Sequence, residues 1–175
     1  AAYVDTEETP WKVRTFSIPQ LVAAAQVEAR QTLPSFHLQL TDAERKGAGR
    51  LPWQRDARNY AVGIYARDEG TRSPGRLIAS AKSWLCHSGV DRTAELLPWQ
   101  GAADVERLSP VEVTARYLGH IRDGWNAQFA SAPLADQQLV ITLPASFDEV
   151  ARELTVKAAA AAALPRVSLI EEPQA

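Results

Sequence analysis

The residues with chemistry to offer are few and scattered. Cys86 stands beside His87, with Asp91 downstream, the residue types of a thiolate–imidazole pair. Neighbours on a helix point about 100° apart, so these two side chains do not meet, and a catalytic thiol needs a base within hydrogen-bond reach. Cys86 therefore reads as a half-buried structural thiol. His37 alternates out of a strand face and His120 lies beside an apolar helical stripe, so both read as surface or interface residues. Three histidines and one cysteine at these spacings supply no tetrahedral zinc site. Gly70 and Gly75 bracket four residues, but Arg76-Leu77 stands where a phosphate loop requires Lys and then Ser or Thr, so the segment reads as an ordinary loop.

Three further positions depend on what surrounds them. Lys82 has Leu77, Ala81 and Leu85 as near neighbours. Its stem either lies along packed surface with the ammonium in a cleft, or projects into solvent as a point charge. Pro144 to Ser146 joins an apolar run to a helix N-terminus, a place where α/β folds collect ligands. Glu172 follows a strand expected beside that run. Its carboxylate either faces the same crevice or, with Glu171 and Pro173, merely ends the strand.

The elements that must position these residues are clearest in the second half. Ser109-Pro110-Val111-Glu112 is a capping box with Pro at the first helical position, and Leu118, Ile121, Trp125 and Phe129 continue it as one apolar stripe. Gln138–Leu143 predicts a buried strand closed by Pro144. Ser146-Phe147-Asp148-Glu149 predicts a second capping box and a helix through Ala163, and Val167–Ile170 another strand. Strand, helix and strand in that order argue for a parallel crossover and an α/β class. Upstream, Ala2–Val4 and Lys12–Ile18 suit a hairpin, and Phe36, Leu38 and Leu40 alternate as a half-buried strand. Thr41–Asn59 reads as a charged surface excursion, Tyr60–Ala66 as a strand, and Arg76–His87 as a helix.

The chain has 175 residues, 46% hydrophobic and 23% charged, which is a globular composition with enough length for a core without disulfides or metals. A net charge of −2 argues against a nucleic-acid or anionic-membrane binder. No apolar run approaches a membrane span, the N-terminus lacks a signal-peptide pattern, and a lone cysteine suits a reducing cytoplasm. The absence of Met predicts that the chain is a piece of a longer protein.

VITLPASFDEVARELTVKAAAAAALPRVSLIEEPQA, residues 140–175, closely resembles a stretch of the nucleotide-binding domain of DnaK-type 70 kDa heat-shock chaperones. That stretch runs from a Val-Ile-Thr-Val-Pro-Ala strand through a helix to an Asn-Glu-Pro-Thr-Ala motif. Thr32-Leu33-Pro34-Ser35 resembles the family's Thr-Pro-Ser strand entry, and Ser80–Leu85 its lysine-bearing helix. SAKSWLCHSGVDR and ELLPW look like a divergent bacterial branch. The likeness covers the whole chain and is weakest between Leu40 and Asn59.

It implies the first lobe of an actin-like (ribonuclease H-like) ATPase: a mixed sheet with flanking helices, missing its first strand. Residues 1–33 and 108–175 would form the core subdomain and 34–107 an inserted peripheral one. By position, Lys82 would sit near the γ-phosphate, and Glu172 would help orient the attacking water. Pro144 and Arg152 would match the interdomain switch. The implied cofactors are ATP and Mg2+ in the intact parent, held only weakly here. The implied partners are clients and co-chaperones reached through other regions, with self-association through open strand edges. Both family phosphate loops would lie outside Ala1–Ala175. Ala163 stands where a helix-ending Gly is usual, and Gln174 where Thr is usual. Two rival readings are an interaction module using Trp53, Trp84 and Trp99, and an actin-like sugar kinase.

Overall fold

The computed structural model describes residues 1–174. Strands β1 (Ala2–Val4) and β2 (Val13–Thr15) form the expected antiparallel hairpin. A second hairpin, β3 (Ile18–Ala23) with β4 (Gln26–Arg30), follows where no periodicity predicts one. Strand β5 (Phe36–Gln39) is the centre of an antiparallel three-stranded sheet, flanked by β6 (Tyr60–Val62) and β7 (Leu77–Ala79). The long helix α4 (Pro110–Gln128) then precedes the crossover β8 (Leu139–Leu143), α5 (Glu149–Ala161), β9 (Val167–Glu171), whose strands are parallel.

Several expectations change. The excursion at 41–59 contains helix α1 (Asp42–Ala48), opened by a complete capping box between Thr41 and Glu44 and anchored by buried Ala48. The strand foreseen over Tyr60–Ala66 stops at Val62, and helix α2 (Ile64–Gly70) begins after Gly63. Gly63 has φ +86, and a Cβ there would meet Gln20 Oε1 at 2.4 Å. That close approach lets buried Gln20 accept from the Ile64 N–H, an otherwise orphaned donor of α2, while its Nε2 donates to Thr32 O at 2.7 Å. The helix foreseen over Arg76–His87 is strand β7 followed by the short helix α3 (Ala81–Leu85).

Helix α5 is capped by Asp148, whose side chain accepts from the Ala151 N–H, and not by Ser146. Its other end is a Schellman motif: Leu164 N–H donates to Ala159 O and Ala163 N–H to Ala160 O, with Ala163 left-handed at φ 56. This is the place where the sequence showed alanine in a glycine position.

The α/β class is met, but among the described residues the strands form several small sheets and not one mixed sheet. The β1–β2 and β8–β9 pairs share one core without being hydrogen-bonded to each other: Tyr3, Phe16, Leu139, Ile141 and Val167 all belong to the apolar cluster that contains Trp125. Tyr3 meets the Trp125 ring edge-on at 5.2 Å. Strand β8 is not the buried strand foreseen. Leu143 is buried and Leu139 and Ile141 are half-buried, whereas Val140 is 56% exposed.

Helix α4 carries its predicted stripe into this core, yet it is covered on other sides too. His120 and Gly124 face Trp53, and Val113 faces Ile78, Leu97 and Leu108. Hence His120 is buried, not superficial. His37 is also buried, because α2 lies against β5 while Tyr60 of β6 and Arg116 of α4 close over the ring, which removes the half-exposed alternation expected of it.

Candidate functional site

Helix α3 starts from Ser80, which is left-handed at φ 55 and donates its N–H to Ser35 O at 3.2 Å. Ala81 and Leu85, one turn apart, are its buried anchors. Ala81 packs with Ile78, Leu97 and Leu108; Leu85 packs with Leu143, Phe147 and Leu154. Lys82 is rotated from that inward face and half-exposed.

At the other side, the parallel register ends at Leu143 opposite Glu171. Pro144 and Glu172 thus leave their strands side by side, at the carboxyl ends where open α/β sheets bind ligands. Lys82 Nζ donates to Glu172 Oε1 at 2.6 Å across 90 residues of sequence, with side chains 48% and 49% exposed. An ion pair this exposed contributes roughly 0–1 kcal/mol, whereas burying Leu85 contributes about 2–3. Apolar packing therefore holds α3 in place, and the pair is free to exchange partners.

Arg152 of α5 does not join that pair. It donates to Glu171 Oε1 at 2.7 Å and to Phe147 O at 3.3 Å. Glu171 was not singled out in the sequence, and its contact with Arg152 across 19 residues leaves no local pattern. Arg92 was also missed. It is mostly buried and forms a two-pronged bond to Asp148. That bond, and then the Ala151 N–H, lower the Asp148 carboxyl to about 2.

At the N-terminus of α5 the Asp148 carboxylate accepts from the Ala151 N–H and so takes the place of a bound anion there. The two positive-φ glycines face their own chain, Gly49 against Ala25 and Gly63 against Gln20. Among the described residues no glycine-rich cradle for phosphates is open, and no cluster of three metal-ligating side chains occurs. The residues present suit one lysine and one carboxylate facing a charged ligand, without the loops that would enclose it.

Cys86 is half-buried and donates to Ser83 O, while His87 stacks on Trp84 with ring centroids 5.4 Å apart, so the two form no pair. The three tryptophans of the interaction-module reading divide. Trp84 and Trp99 are in contact at 5.3 Å, and Trp53 packs in a different cluster against His120.

No protein-family model matches the sequence. The chain is 29% identical to the chaperone protein HscA of Salmonella agona (strain SL483), over an alignment that covers all of this chain and 27% of that protein. HscA of Salmonella newport (strain SL254) aligns with the same identity and coverage. This chain is similar to HscA throughout its length. It spans about a quarter of those relatives. The 70 kDa heat-shock resemblance read from residues 140–175 thus agrees with a similarity to the chaperone HscA along the whole chain. No helix of the described residues is long and apolar enough to cross a membrane.

Proposed function

We propose that this chain is the first lobe of a 70 kDa heat-shock-type chaperone ATPase with an actin-like fold, in which residues 1–33 and 108–175 form the core and 34–107 the peripheral part. On this reading Lys82 would lie near the terminal phosphate of ATP and help position the attacking water, and Glu172 would help orient that water. Mg-ATP supplies the phosphoryl group, and such transfer needs positioned charge more than covalent partners. The observation that carries this reading is the meeting of Lys82 and Glu172 at the carboxyl end of the parallel pair. Pro144 and Arg152, beside it, would pass the state of the site to the surface.

On this reading the chain alone binds nucleotide weakly and does not hydrolyse it, since it offers one wall of a two-walled site. The intact protein works in the cytoplasm with clients and co-chaperones, and the open edges of β1 and β8 are where the chain would self-associate. The test is steady-state ATPase of the full-length protein. Lys82→Ala and Glu172→Gln should each lower kcat at least tenfold, and unchanged turnover would overturn the assignment. In a melt of this chain alone, Mg-ATP should leave the midpoint in place; a clear rise would show that this lobe holds nucleotide by itself.

A further inference from the structure

We propose that Arg92 is a positioning residue that sets Lys82 against Glu172 by strapping helix α3 to the start of helix α5. The role of the Lys82–Glu172 pair rests on the function proposed above; the strap itself does not. Helix α3 has five residues, too few to hold its own shape. Ser83 O and Trp84 O accept from the N–H groups of Cys86 and His87, which leaves Leu85 O, the last carbonyl, without a backbone donor. Arg92 Nη1 donates to Leu85 O and Nε to His87 O, both at 3.3 Å, so one guanidinium closes that end of the helix. The same fork reaches both Asp148 oxygens at 2.7 and 2.8 Å.

Asp148 in turn caps α5, the helix between the strand that ends at Pro144 and the strand that ends before Glu172. Arg92 thus joins the element bearing Lys82 to the unit bearing Glu172. The apolar contact of Leu85 with Leu143 and Phe147 also joins them, but apolar burial is non-directional. A planar bidentate fork fixes an angle as well as a distance.

The test is competitive trace labelling of amines in the full chain. Mass spectrometry reads the rate at Lys82 against Lys12, Lys46 and Lys157, which complete the chain's lysines. Glu172→Gln should raise the relative rate of Lys82 about threefold, the size expected from losing an exposed ion pair. Arg92→Gln should reproduce most of that rise and leave the other three lysines unchanged. Asp148→Asn keeps a cap but loses the charged fork, so it should do the same in a chain that still folds.

A wild-type rate at Lys82 in both strap variants would overturn the proposal. So would a uniform rise at all four lysines, the mark of general loosening, or a Glu172→Gln chain in which Lys82 does not change. No nucleotide enters this experiment. An ATPase failure of the Lys82 and Glu172 variants would therefore leave its result standing, and the converse holds.

Discussion

Arg152 binds Glu171 and leaves the adjacent Glu172 to Lys82, so two consecutive carboxylates at the end of β9 hold cations from two different helices. The chain reverses at a 3-10 turn from Glu172 to Gln174, which separates the two carboxylates. The side chains of Arg152 and Glu171 are 26% and 35% exposed, so their bond should be worth more than the half-exposed pair beside it. Glu171→Gln should lower stability by about 0.5–1 kcal/mol in urea unfolding at low salt, and much less in 1 M salt.

Acid should destabilise the protein well above the range where its carboxylates titrate. Burial, and then Arg116, lower His37 to about 3; burial lowers His120 to about 4, with Arg58 adding to it against the Pro19 carbonyl and Asp123. The unfolded chain binds these protons near pH 6.5 and the folded chain does not, so stability falls as pH drops below 6.5. Between pH 6.5 and 5 the two residues together should cost about 3 kcal/mol, followed by urea unfolding at each pH. His120→Gln keeps a donor for Pro19 O and should halve the slope.

Ala163→Gly should stabilise the chain. The left-handed conformation of Ala163 costs an L-residue about 1–2 kcal/mol, and its exposed methyl makes no compensating burial. After allowance for the looser unfolded chain, a gain of about 0.5–1 kcal/mol is expected in denaturant midpoints. A loss would mean that the motif is not kept in solution.

Gly63→Ala should do the opposite. The added Cβ would press on Gln20 Oε1 and on Leu33, at a backbone angle that already disfavours any side chain. Displacing Gln20 also strands the Ile64 N–H and the Thr32 carbonyl. A loss of roughly 2–4 kcal/mol is expected, measured as the shift in unfolding midpoint.

Local chemistry was the legible part. Helix α4 announces itself through Ser109, Pro110 and Glu112, because a cap is made by residues three apart. The same box, Thr41 with Glu44, opens α1, but Gly47, Gly49 and the surrounding charges concealed it. Asp148 displaced Ser146 as the α5 cap because Arg92, 56 residues upstream, favours a carboxylate there. His37 and His120 were misread for one physical reason. Periodicity predicts one buried face, whereas β5 and α4 are covered from more than one side. At the site, Lys82 and Glu172 could be chosen by type and resemblance, but their 2.6 Å approach is a product of the tertiary fold.

Strand β8 pairs with β9 along one side only among the described residues. Successive peptide groups of a strand point to opposite sides, so every second amide of β8 faces β9 and the intervening ones do not. Deuterium uptake along Leu139–Leu143 should therefore alternate, slow then fast, within a single five-residue strand. Anything that docks along the open side would be recorded as the selective slowing of the fast set, residue by residue, with the slow set as its internal clock.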